Sequence, residues 1–229
     1  ELLDSQRRDR VSVRVDLCQE FGGERRPGPL HLFVNGRRLF ALQLYLLLLC
    51  LAKGDPWDKE MSGTSWALAL DHQGPGAESK VSRNWSWLAG NNLVRTERRG
   101  RHLQVFRLHE SGNGDEFSRP TGHFFYFPFA YFTEGWHTKL SLAATATLLI
   151  SLSSSRNKPW FALPLEQAAD WFSISADTLN RGFDELRDHG LVTSHLRRVR
   201  DPRARGGTKP LSEYTLLGSF RQYPKKDQP

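Results

Sequence analysis

Val81-Ser-Arg-Asn-Trp-Ser-Trp-Leu-Ala-Gly-Asn-Asn-Leu-Val94 and Leu179-Asn-Arg-Gly-Phe-Asp-Glu-Leu-Arg-Asp-His-Gly-Leu-Val192 carry one pattern twice, 98 positions apart. Val81, Arg83, Trp85, Leu88 and Leu93-Val94 correspond to Leu179, Arg181, Phe183, Leu186 and Leu191-Val192. In each copy the apolar members fall at i, i+4 and i+7, which is one face of a helix. Asn92 or Gly190, residues that tolerate left-handed backbone, then closes the helix. Leu-Val, an arginine-rich run and a second apolar segment follow. The order helix, tight stop, strand, basic turn, strand therefore occurs twice.

The upstream halves repeat as well. Leu44 aligns with Leu142 at the same offset, inside apolar stretches 39–52 and 140–152. Each is followed by a similar breaker, Lys53-Gly-Asp-Pro-Trp57 and Arg156-Asn-Lys-Pro-Trp160, and then by a short helical segment, 63–72 and 163–171. The pattern predicts an α+β fold, mainly helical, of two tandem winged helix-turn-helix domains with three helices and a β-hairpin wing each. Any other pair of three-helix modules is the alternative. The expected division is a charged arm or linker over 1–29, a first domain over 30–110, a linker over 111–122, a second domain over 123–218 and a basic tail over 219–229. Within the arm, Val11, Val13 and Val15 alternate with polar residues as in a short strand.

A chain of 229 residues has room for two domains that bury their own cores. The net charge of +7 and pI near 9.7 favour a polyanionic partner. The apolar run 44–51 is far short of the roughly 20 residues that span a bilayer, so it reads as a buried helix and no membrane is expected. Cys18 and Cys50 make neither a disulfide framework nor a CxxC zinc motif. Reduced thiols and a cytoplasmic, nucleoid-associated location are the expectation. The first residue is Glu1, as in a fragment or trimmed chain, and no signal peptide is visible.

Five phenylalanines, two tyrosines and a tryptophan crowd into residues 123–136. Packing beneath a helix is the preferred reading over an exposed stacking platform, because the flanks are not basic. After this lead-in come Glu134-Gly-Trp136, Leu140-Ser-Leu-Ala-Ala144, Leu163-Pro-Leu-Glu166, Ser175-Ala-Asp-Thr-Leu179 and Leu186-x-x-x-Gly-Leu-Val192. In layout this resembles the winged-helix domains of bacterial plasmid replication initiators and of actinobacterial transcriptional regulators. The resemblance covers mainly residues 123–192, and it implies sequence-specific binding to duplex DNA. It does not separate a regulator from an initiator.

The second helix of a helix-turn-helix unit presents its early residues to base edges in the major groove. With Val81, Trp85 and Leu88 in the core, Ser79, Arg83 and Ser86 fall on the opposite face, flanked by Lys80. Arginine can bind guanine bidentately, and serine serves phosphate or base. The ordinary alternative is a solvated helix face. In the second copy Thr178, Asn180 and Arg181 are the candidates, but residues 175–189 hold four acidic residues against two arginines. That face suits DNA poorly, and a partner protein or a second protomer is the alternative. The basic turns are Arg95, Arg98, Arg99 and Arg101 around Gly100, and Arg197, Arg198, Arg200, Arg203, Arg205 and Lys209 in a long segment read as a flexible loop arm that orders on DNA. Its return strand is expected near 213–217.

No phosphate-binding GxxxxGK[ST] and no zinc-type His/Cys spacing is present, and the paired carboxylates lack a pocket signature. No enzyme, catalytic residue, metal or cofactor is expected. The expected function is a sequence-specific double-stranded DNA-binding protein, most simply a transcriptional regulator. A replication initiator or partition factor on repeated sites is the alternative, and a protein-binding adaptor is the outsider.

Overall fold

Leu39–Leu51 is apolar at almost every position, so it is stable as a helix only where neighbours cover it all round. A computed structural model, which describes residues 8–20, 26–100, 102–156, 158–200, 202 and 206–222, shows such cover: all eleven residues from Ala41 to Leu51 are buried. The elements in order are β1 (Arg10–Arg14), β2 (Gln19–Glu20), β3 (Arg26–Pro27), α1 (Leu30–Asn35), α2 (Leu39–Leu51), β4 (Asp58–Met61), α3 (Gly63–Leu68), α4 (Ala77–Gly90), β5 (Val94–Arg99) and β6 (His102–Arg107). There follow β7 (Phe124–Pro128), α5 (Ala130–Thr133), α6 (Trp136–Lys139), α7 (Leu142–Ser154), β8 (Phe161–Ala162), α8 (Leu165–Phe172), α9 (Ala176–Asp188), β9 (Val192–Arg200) and β10 (Thr208–Leu216). The chain is a mixed α+β protein. Among the described residues no helix is long and apolar enough to cross a membrane.

Helix, strand, two helices and an antiparallel hairpin occur twice, as α2-β4-α3-α4-β5-β6 and α7-β8-α8-α9-β9-β10. The sheets match too, with strand orders β4-β6-β5 and β8-β10-β9. Val81, Trp85 and Leu88 are buried on α4, as are Leu179, Phe183 and Leu186 on α9. Serines start three of the helices: Ser62, Ser141 and Ser175 each accept a backbone N–H of the first turn of α3, α7 and α9. Asn92 at φ +56° and Gly190 at φ +68° sit just beyond the two long helices, the left-handed stop that their residue types allow.

Four features differ from the sequence expectation. Residues 10–14 form the short strand that their alternating valines predict, but it is not part of a separate arm: β1 pairs antiparallel with β7, Val13 opposite Phe125. The alternating valines need a partner with an apolar face, and Phe125 and Phe127 provide it. Residues 111–122 are no free linker either: Arg14 donates to the carbonyl and hydroxyl of Ser118. Glu110 is wholly buried between Arg14 (2.6 Å) and Arg107 (3.1 Å), and the Phe117 ring packs 5.1 Å from that of Trp57. Residues 218–222 are no tail, because Phe220 is buried and the Gln222 amide bonds both backbone groups of Tyr126. Finally, the segment read as a loop arm is mostly strand, with β9 and β10 paired from Val192↔Leu216 to Arg200↔Thr208.

The two repeats share one apolar core. Between them α1 packs on both α2 and α7, and the Gln43 amide donates to the His137 carbonyl at 2.6 Å. Most of the aromatic lead-in is buried here, with Phe125, Phe127, Phe129 and Tyr131 at 3% exposure or less. Packing therefore accounts for it. Burial also pushes the thiols of Cys18 and Cys50 far up, so neither is a reactive thiolate.

Candidate nucleic-acid interface

On α4 the buried stripe fixes what can face outward. Ser79, Arg83 and Ser86 are exposed, and Ser82, which sequence reasoning passed over, joins them on the same face. The face is held in local bonds: Arg83 Nε donates to the Ser79 carbonyl at 3.3 Å and Ser86 Oγ to the Ser82 carbonyl at 3.1 Å. Such exposed bonds are readily exchanged for a ligand. Lys80 differs from the rest. Its ammonium lies 4.3 Å from the centre of the Phe40 ring and 3.2 Å from His72 Nε2. Burial, with Arg83 nearby, lowers its pKa. Lys80 is thus a half-buried contact to the N-terminal end of α2.

The first hairpin sorts its arginines by register. Arg95 pairs with Glu97, and its guanidinium sits 3.9 Å from the Phe106 ring centre, so its charge is partly used inside the hairpin. Arg98 and Arg99 are exposed and have no carboxylate partner among the described residues. Gly100 at φ +60° makes the tight turn that carries them. Arg101 lies outside the described residues.

In the second repeat, Thr178 is engaged at the start of α9, where its N–H and hydroxyl meet Ser175 Oγ. Asn180 and Arg181 are exposed, with Arg181 3.2 Å from Asp177. Arg187 pairs with Asp184 at 2.8 Å, and Glu185 accepts from the N–H and hydroxyl of Ser141 at the start of α7. Part of the acidity of this helix therefore serves the fold. Exposed pairs of this kind contribute at most about 1 kcal/mol and can rearrange. On β9, Arg197 binds the buried Glu213 at 3.2 Å, shared with His195 at 2.9 Å, whereas Arg198 and Arg200 are exposed. Lys209 belongs to β10, and Arg203 and Arg205 lie outside the described residues.

The structure thus brings Ser79, Ser82, Arg83 and Ser86 onto one helix face followed by a hairpin bearing Arg98 and Arg99. It diverts Lys80, Arg95 and Arg197 to internal partners. Comparison with known proteins finds no family model that matches the chain and no curated protein with significant sequence similarity.

Proposed function

We propose that the chain is a tandem winged helix-turn-helix protein that binds duplex DNA in a sequence-dependent way, with transcriptional regulation as the simplest role. The observation that supports this reading best is the first repeat: an exposed Ser/Arg face on α4 beside a hairpin whose Arg98 and Arg99 are exposed and have no carboxylate partner among the described residues. A helix face of this chemistry suits the major groove, and arginines at a hairpin tip suit phosphate or a narrow minor groove. The net charge of +7 adds a favourable long-range field. The second repeat contributes chiefly through Arg198 and Arg200 on its hairpin, since the arginines of α9 are matched by their own acids. That matched face supports a protein contact, either a second protomer or a partner, as its other role.

The test is the salt dependence of duplex binding by the whole chain. If the hairpins and α4 together neutralise about 6 phosphates, log K against log salt has a slope near −5. A slope shallower than about −2 contradicts engagement of both hairpins.

Arg83→Ala separates base reading from phosphate contact. As a bidentate reader Arg83 is expected to contribute about 1–3 kcal/mol to the preferred site and much less to random duplex. Competition titration against both duplexes decides it, and equal losses on the two identify a phosphate contact instead.

A further inference from the structure

Away from the two helix faces and the two hairpins, arginines of the described residues also gather around a cleft. A cleft of about 450 Å³ opens where β1, the 117–120 segment and β7 meet Trp57. Its size falls in the range of small-molecule sites, roughly 300–1,000 Å³. Three aromatic rings line it, those of Trp57, Phe117 and Tyr126. Arg119 lies with its guanidinium carbon 5.6 Å from the Trp57 ring centre, and Arg10 is placed 5.5 Å from Tyr126. Arg8 completes the rim, and neither it nor Arg119 has a carboxylate partner among the described residues.

The base of the cleft adds an independent sign. Arg107 lines it, is almost wholly buried, and its Nε has no hydrogen-bond partner among the described residues. Arg107 shares the single charge of Glu110 with Arg14. Counting that triad and the rim, five arginines face two carboxylates, Asp9 and Glu110. Low-dielectric walls of ring and backbone concentrate such an excess toward anions. Trp57 is held at φ +58°, a conformation rare for so bulky a residue, and its indole packs edge-on against Phe117 at the cleft.

We propose that this cleft binds a free nucleotide, its phosphates held by the rim arginines and its base laid against the aromatic wall. Guanidinium groups approaching from the β1 end and from the 117–120 segment match a polyvalent oxyanion with several acceptor edges, which a single carboxylate does not offer. An aromatic base gains stacking area from Trp57 or Tyr126 that an inorganic ion cannot use. The site is separate from the α4 face, so it stands or falls independently of DNA binding.

The experiment is calorimetric titration of the whole chain with AMP, GMP, ADP and GDP at fixed ionic strength, beside adenosine, guanosine and inorganic phosphate. At least one nucleotide is expected to saturate a single site, with its nucleoside and phosphate alone at least tenfold weaker. Arg119→Ala is expected to weaken that nucleotide at least tenfold while thermal stability and duplex affinity stay unchanged, because Arg119 is exposed. The proposal is overturned if no nucleotide saturates, if phosphate binds equally well, if Arg119→Ala retains full affinity, or if a short duplex displaces the nucleotide.

Discussion

Glu110→Ala is expected to lower unfolding stability by about 3–5 kcal/mol, the largest effect of any single change considered for this chain. Among the described residues Glu110 is the only carboxylate paired with Arg14 and Arg107, and Arg107 is almost as deeply buried as Glu110 itself. Burial alone already lowers the pKa of Arg107, with Glu110 opposing that shift. Removing the acid leaves two guanidiniums in the interior. They retain only the Ser118 carbonyl and hydroxyl, a distant Leu49 carbonyl at 3.5 Å and the Phe117 face. Those neutral acceptors offset part of the lost Coulomb attraction and none of the net charge. Urea unfolding of the whole chain checks the value. Converting all three residues to apolar ones of similar volume is expected to recover most of the loss, because the desolvation cost leaves with the charges. A Glu110→Ala protein as stable as the parent would mean that water reaches the triad.

Gly182→Ala is the second large case, and here two effects oppose each other. Alanine is favoured over glycine in a helix by about 1 kcal/mol. A Cβ at position 182, however, would lie 2.1 Å from Thr147 Oγ1 and 2.6 Å from the Ala143 carbonyl oxygen. The second contact is backbone, so α7 and α9 must move apart. Overpacking of this kind costs about 1–3 kcal/mol, occasionally more, and with backbone on one side the upper end applies. The clash wins, and a net loss of about 2 kcal/mol is expected in thermal or urea unfolding. Gly90→Ala is the control, since nothing lies within 4 Å of its Cβ position. Thr147→Ala should restore part of the loss, because Thr147 Oγ1 is buried with no partner to give up. Stabilisation by Gly182→Ala would refute the close helix approach.

Helices α2, α4, α7 and α9 were legible because each has an apolar face at i, i+4 and i+7, or apolar cover on all sides, closed by Asn92, Gly190 or a Pro-Trp breaker, and α3 and α8 because they follow those breakers in both copies. What escaped depends on partners distant in sequence. Nothing local in Arg10–Arg14 announces pairing with Phe124–Pro128. Strand β4, Asp58-Lys-Glu-Met61, is polar at three of its four positions and reads as loop, yet it forms the edge of its sheet beside β6. The stretch from Arg197 to Lys209 reads as a loop because β9 meets solvent on both faces toward the tip, which erases the alternation that marks a strand. For the candidate interface, charge was legible and its use was not. Arg197 meets Glu213 diagonally across the ladder, since His195 is the residue directly opposite Glu213. Arg95 meets the ring of Phe106 directly opposite it. Only the register separates these two from Arg98, Arg99, Arg198 and Arg200.

The pairing of β1 with β7 sets an order of events during synthesis. The nascent chain delivers Val11 and Val13 first, and their partners Phe127 and Phe125 only after the entire first repeat has left the ribosome. At about 10 residues per second the wait is roughly ten seconds. Throughout it the edge of β1 that pairs with β7 has no partner strand. A product cut short before residue 124 keeps that raw edge permanently, and exposed apolar strand is what chaperones and proteases act on. The pairing thereby makes cover of the edge left by residues 10–14 conditional on the synthesis of residues 124–128.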